Sequence, residues 1–267
     1  MTTPTLHPSR FDAFCSAAVY EATYYTAAAV MTLGWGLRTA GREHIPANGP
    51  ALLIANHQSF LDPLLVGLGT RRHLCYLARK TLFKGGPFTW LIRMLNAVPI
   101  DQEGVGKEGI KTILEQLQRG RAVVVFPEGE RTHDGAMQPL KPGIQLLIKR
   151  AQAPIIPVGI AGAYDALPRW HQVPTLAPVF WPGCRARIAV AVGPPLDGRR
   201  YAELPRQQSL GELYEKIAEQ WRKAERLRGV GWLQDALLTT QPPNHPTTHI
   251  GSRIQRHPID DVKPGVR

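Results

Sequence analysis

Apolar positions along this chain follow two periods. From about residue 50, short unbroken apolar runs alternate with stretches where apolar residues recur every three or four positions. ALLIAN (51–56), HLCYLA (73–78), AVPID (97–101), RAVVVF (121–126) and APIIPVGI (153–160) read as buried strands. DPLLVGLG, opening at Asp62, and GPFTWLIRMLN (86–96), GKEGIKTILEQLQRG (106–120) and PGIQLLIKRAQ (142–152) read as helices, with Gly120 a natural stop for the third. CRARIAVAVG (184–193) alternates as an edge strand would. SLGELYEKIAEQWRKAERLRG (209–229) carries Leu213, Ile217, Trp221 and Ala224 on one helical face. Strands alternating with helices predict an α/β fold with a largely parallel sheet flanked by helices.

Both ends depart from that pattern. Between Asp12 and Arg38 the only charged residue is Glu21. Phe14, Ala17, Tyr24, Ala28, Met31 and Trp35 share one stripe of a helix there, with Tyr25 beside it. An aromatic-rich stripe suits a membrane interface; a buried core helix and a true span are the other readings. After residue 238 the sequence is rich in proline and poor in bulky apolar side chains, too poor to offset the entropy of ordering. His245, His249 and His257 have no acid or cysteine at ligand spacing, so the tail predicts disorder rather than a metal site. The expected organisation is a hydrophobic, interfacial segment over 1–40, an α/β domain over 41–237 and a disordered tail over 238–267.

The net charge of +11 favours an anionic partner. The basic residues are spread along the chain and form no recognised nucleic-acid module, so nucleic acid is not the expected partner. Three scattered cysteines, Cys15, Cys75 and Cys184, argue against a disulfide framework or a zinc site and suit a reducing cytoplasm.

The candidate chemistry lies where strands end. In NHQSFLD (56–62), His57 follows the first buried strand and Asp62 comes five residues later. On one continuous helix such positions point apart, so the two meet only if the chain turns back before the helix begins. Asp62 as a mere cap, with Pro63 at the first helical position, is the plain reading. A His–Asp dyad, in which the acid orients a general base, is the functional one. Ser59 as a nucleophile lacks a G-x-S-x-G elbow to present it. The second constellation is VVVFPEGERTHDG (123–135). Phe126-Pro127 stiffens the strand exit, Gly129 permits close backbone approach, Glu128 offers an acceptor and Arg131 a fork for phosphate.

With NHQSFLD, FPEGERT and PIIPVGI in that order, the chain resembles the glycerolipid acyltransferase family, the lysophosphatidate acyltransferase type, over roughly residues 40–195. The resemblance implies His57 as the base that deprotonates an acceptor hydroxyl, and Asp62 as the group that orients and charge-stabilises it. It implies that Lys80, Phe126, Pro127, Glu128, Gly129 and Arg131 bind the glycerol-phosphate end of the acceptor. Gln102 stands where the family usually has arginine, which removes one cation. The implied partners are a lysophospholipid acceptor, acyl-CoA or acyl-carrier protein as thioester donor, and a membrane surface on the cytoplasmic side. No metal or cofactor is expected, because a thioester is already activated. The alternatives are an acyltransferase acting on another lysolipid or on glycerol 3-phosphate, and a non-catalytic membrane-binding module, which would be indifferent to His57.

Overall fold

The computed structural model describes residues 10–86, 89, 97–100, 107–171, 173–178, 180 and 184–229. The helices are α1 (Arg10–Trp35), α2 (Asp62–Thr70), α3 (Lys107–Gln118), α4 (Gly143–Ala151), α5 (Ala163–Ala166), α6 (Gly198–Glu203) and α7 (Arg206–Arg228). The strands are β1 (Arg38–Ala40), β2 (Ala51–Ala55), β3 (Leu74–Arg79), β4 (Ala97–Ile100), β5 (Ala122–Val125), β6 (Ile155–Ala161) and β7 (Ala189–Val192). They form one sheet in the order β1-β7-β6-β2-β5-β3-β4. The five strands from β6 to β4 run parallel; β7 joins β6 antiparallel and carries β1 parallel to itself.

The continuous apolar runs follow from burial on both faces. Every residue of β2, β5, β6 and β7 is buried. Successive side chains point to opposite faces of a strand. Leu53, Val124, Ile156 and Val158 therefore meet α1 and α2 through Met31, Trp35, Leu65 and Val66. Leu52, Ile54, Val123 and Ile155 meet the other layer through Ile113 of α3, Leu147 of α4 and Leu213 and Ile217 of α7. The last of these helices lies so close to β6 that a Cβ on Gly159 would sit 2.1 Å from the backbone at Gln220–Trp221.

Three sequence expectations are revised. The alternating segment is not an edge strand: β7 lies between β1 and β6 and is buried throughout, its outer side covered by β1. The final helix begins at Arg206, three residues ahead of Ser209, with Pro205 at the cap position just outside it. The described part of the N-terminal stripe, Tyr24 to Trp35, faces inward. Met31 and Trp35 are buried, and Tyr24 and Ala28 pack against the same core, whereas Val30 and Leu33 face out. Among the described residues no helix is long and apolar enough to cross a membrane. Most of the expected helix over 86–96, Gln102 and the tail from residue 238 lie outside the described residues.

Candidate active site

β2 and β5 are parallel neighbours, so the loops that follow them open at the same carboxyl edge, where α/β sheets present ligand sites. Asn56 releases the first loop. Its side chain donates to the Ile160 carbonyl at 2.9 Å and accepts the Ile160 N–H at 2.8 Å. The amide thereby continues the ladder with β6 while the main chain leaves it. His57 is pinned next: its N–H donates to Glu128 Oε1 at 3.0 Å, and its carbonyl accepts the Thr132 N–H at 2.9 Å.

The turn then brings Asp62 back to His57. Asp62 is fully buried, and its Oδ2 lies 2.7 Å from His57 Nδ1. The same oxygen accepts the N–H groups of Gln58 at 2.5 Å and Ser59 at 2.8 Å. Asp62 is the first residue of α2, with Leu61 at the cap position, so its carboxylate serves the preceding turn and does not cap its own helix. A carboxylate accepts, so Nδ1 carries the proton and Nε2 presents a lone pair. Phe126 stacks on the imidazole, with ring centres 4.1 Å apart and planes 17° from parallel. Ser59 is spoken for elsewhere: its buried hydroxyl donates to the Leu167 carbonyl at 2.8 Å.

Glu128 is placed as a tie between segments. Oε1 accepts from His57, and Oε2 accepts the Gln138 N–H at 3.0 Å. Burial pushes its pKa up to about 7 against the pull of those two N–H groups, and the nearby Asp62 adds to the rise. Pro127 is buried, and its carbonyl accepts the Lys141 N–H at 2.7 Å. Gly129 has φ +80°, and a Cβ there would lie 3.2 Å from the Lys141 side chain. Arg131 lays its guanidinium over Phe60, 3.4 Å from the ring centre. Lys80 is exposed at the carboxyl end of β3, the strand next to β5, and so shares the edge with the two loops.

Sequence reasoning overlooked two contributors. Phe60, half exposed, is the platform for Arg131. Arg169, beyond β6, donates to Glu130 Oε2 at 3.2 Å and approaches His133 Nε2 at 3.1 Å, which holds the Glu130 carboxyl below its usual range. Phe60 sits inside the quoted block, but nothing in the sequence places Arg131 beside it. Nothing in PRW (168–170) marks Arg169.

The class comes first from the architecture: a largely parallel α/β sheet with a histidine–carboxylate pair at its carboxyl edge. The fold matches that of the 1-acyl-sn-glycerophosphate (LPA) acyltransferase PlsC of Thermotoga maritima with a TM-score of 0.65, covering 84% of this chain and 85% of that one at 23% identity. The family model described as Acyltransferase matches residues 36–161. That match agrees with the resemblance of the sequence blocks, and the relatives the chain aligns with are named 1-acyl-sn-glycerol-3-phosphate acyltransferases, so the chain is an O-acyltransferase by kinship. Two relatives show how far the likeness extends. The 1-acyl-sn-glycerol-3-phosphate acyltransferase of Bacillus subtilis is 24% identical over 73% of this chain and 92% of its own length. The Saccharomyces cerevisiae protein of the same name is 29% identical over 87% of this chain and 75% of its own.

Proposed function

We propose that this enzyme moves a fatty acyl group from a thioester, acyl-CoA or acyl-carrier protein, to the free hydroxyl of 1-acyl-glycerol 3-phosphate at a membrane surface. The observation that carries the reading is the 2.7 Å bond between His57 Nδ1 and the buried Asp62, which leaves Nε2 with no protein partner among the described residues. Nε2 takes the proton of the acceptor hydroxyl as its oxygen attacks the thioester carbonyl. Asp62 stabilises the imidazolium so formed. The carbon–sulfur bond breaks, and the proton passes from His57 to the departing thiol sulfur. No acyl-enzyme is needed, and the thioester supplies its own activation without a metal or cofactor. Arg131 and Lys80 bind the acceptor's phosphate, and Phe126, Pro127, Glu128 and Gly129 shape the loop that receives it. The names of the relatives support the choice of acceptor.

Mass spectrometry of the products tests this. Wild type given lysophosphatidate with acyl-CoA, and separately with acyl-carrier protein, is expected to form phosphatidate with at least one donor, and His57→Ala to form almost none. Phosphatidate made equally by both proteins sinks the dyad; wild type that acylates only another lysolipid sinks the acceptor assignment.

A further inference from the structure

The loop FPEGER (126–131) sets two carboxylates, Glu128 and Glu130, ahead of the guanidinium assigned to an acceptor phosphate. Glu128 is buried, and its two oxygens accept main-chain N–H groups. Glu130 is next in the chain to Arg131, and its side chain is 46% exposed. A bare carboxylate at that place opposes an incoming anion, because like charges side by side repel even in water.

The countercharge comes from another segment. Arg169, just beyond α5, donates from Nη1 to Glu130 Oε2 at 3.2 Å, and the same nitrogen lies 3.5 Å from the Arg131 carbonyl oxygen. Its guanidinium is 5.4 Å from the Trp170 ring centre, and His133 Nε2 is 3.1 Å from Nη1. An arginine only donates, so Nε2 faces it as an acceptor and hands no proton to Glu130. The bond from Arg169 is the main reason the Glu130 carboxyl stays below its usual range, with the charges of Arg169, His133 and Lys141 adding to it. Glu130 is therefore ionised at neutral pH. The segment that carries Arg169 is tied to the His57 turn as well, since the Ser59 hydroxyl donates to the Leu167 carbonyl at 2.8 Å.

We infer that Arg169 screens the Glu130 carboxylate so that the FPEGER loop can receive an anionic headgroup, which makes Arg169 a specificity-determining residue acting through Glu130. The inference rests on the reading of Arg131 as the ligand of a phosphate monoester; the pairing of Glu130 with Arg169 does not. With Arg169 in place, Glu130, Arg131 and Arg169 carry one net positive charge between them; without it they carry none. A purely geometric clamp would behave differently, because loss of either partner would then harm acceptor binding alike. An ion pair this exposed adds little to stability, so its removal tests charge more than folding.

The test is a charge cycle on the full chain, read by KM for lysophosphatidate and by calorimetric binding of sn-glycerol 3-phosphate. Arg169→Ala is expected to raise the KM and the Kd by roughly three- to thirtyfold at low salt, with a much smaller effect on kcat. The rise should shrink at high ionic strength. Glu130→Gln added to Arg169→Ala is expected to return both constants to near wild type. Arg169→Lys, which keeps the charge, should raise them less than Arg169→Ala, and a thermal melt verifies that each variant folds. Unchanged constants in Arg169→Ala overturn the proposal. A double variant no better than Arg169→Ala also overturns it and leaves Arg169 as a clamp on the loop. Phosphatidate synthesis without this pattern sinks the screen and spares the proposed activity. The pattern in glycerol 3-phosphate binding without phosphatidate synthesis sinks the activity and spares the screen. A wild type that neither binds glycerol 3-phosphate nor acylates lysophosphatidate sinks both.

Discussion

The loops that follow β2 and β5 leave adjacent strands at the same edge, and each encloses one buried carboxylate, Asp62 and Glu128. Asp62 gathers its donors from its own turn, and one of them is an imidazole. Glu128 gathers two main-chain N–H groups, one from the other loop and one from Gln138 further along its own. One acid is matched to a group that would gain positive charge in the proposed proton transfer; the other is matched to groups that never change charge. The difference separates a carboxylate suited to chemistry from one suited to holding geometry, though both lie within a few bonds of His57.

The comparison can be broken or sharpened by substitution. His57→Ala removes the base and is expected to lower kcat by roughly 10²- to 10⁴-fold with folding intact, read by steady-state kinetics and a thermal melt. Asp62→Asn leaves the base but offers Nδ1 a poorer acceptor and no charge, for an expected loss of roughly 10²- to 10³-fold in kcat. Arg131→Ala should act mainly on KM for the acceptor. Loss of a charge-assisted hydrogen bond of about 1.5–3 kcal/mol corresponds to roughly a 10- to 150-fold rise.

Glu128→Gln tests the structural acid, and its signature is pH-dependent stability. The folded-state pKa of about 7 lies above the ordinary 4.5, so the native chain holds the proton more tightly than the unfolded one. Stability from this group is complete below about pH 4.5 and is lost as pH rises through 7, by about 3 kcal/mol in all. The glutamine amide cannot accept one of the two N–H groups, which costs about 1–3 kcal/mol. The stability advantage of wild type over Glu128→Gln should therefore be largest near pH 5 and shrink by pH 8, as read by urea unfolding at each pH. An advantage that grows with pH would show that the carboxylate is held ionised. The smallest effect belongs to Phe60→Leu, which removes the platform under Arg131. About 0.5–1 kcal/mol of cation–π attraction predicts only a two- to fivefold rise in acceptor KM.

How much of this was legible in advance depends on whether a feature is local or comes from packing. The strands of the parallel core were legible because burial on both faces writes an unbroken apolar run. The interior place of β7 was not: its alternating sequence looks the same at an edge as beside β1, a three-residue strand too short to announce itself. That His57 and Asp62 could meet was legible from the spacing and from DP as a helix start, although Asp62 lies one position further into the helix than a cap would. The part of Glu128 was not legible, since its partners are main-chain groups in a loop 71 residues away and at Gln138. The inward face of α1 was left open between readings for a related reason. Tyr24, Met31 and Trp35 are equally suited to a membrane and to a protein core, and only the tertiary fold supplies the surface they cover.

Asn56 has a wider consequence. Because its side chain closes the ladder to Ile160, the position of His57 and the integrity of the β2–β6 seam are a single cooperative unit. A fluctuation that frees the histidine loop must also unzip the centre of the sheet, so solvent exchange at the Ile160 amide and mispositioning of the imidazole become one event with one free energy. The turn that carries His57 thereby takes on the rigidity of the core.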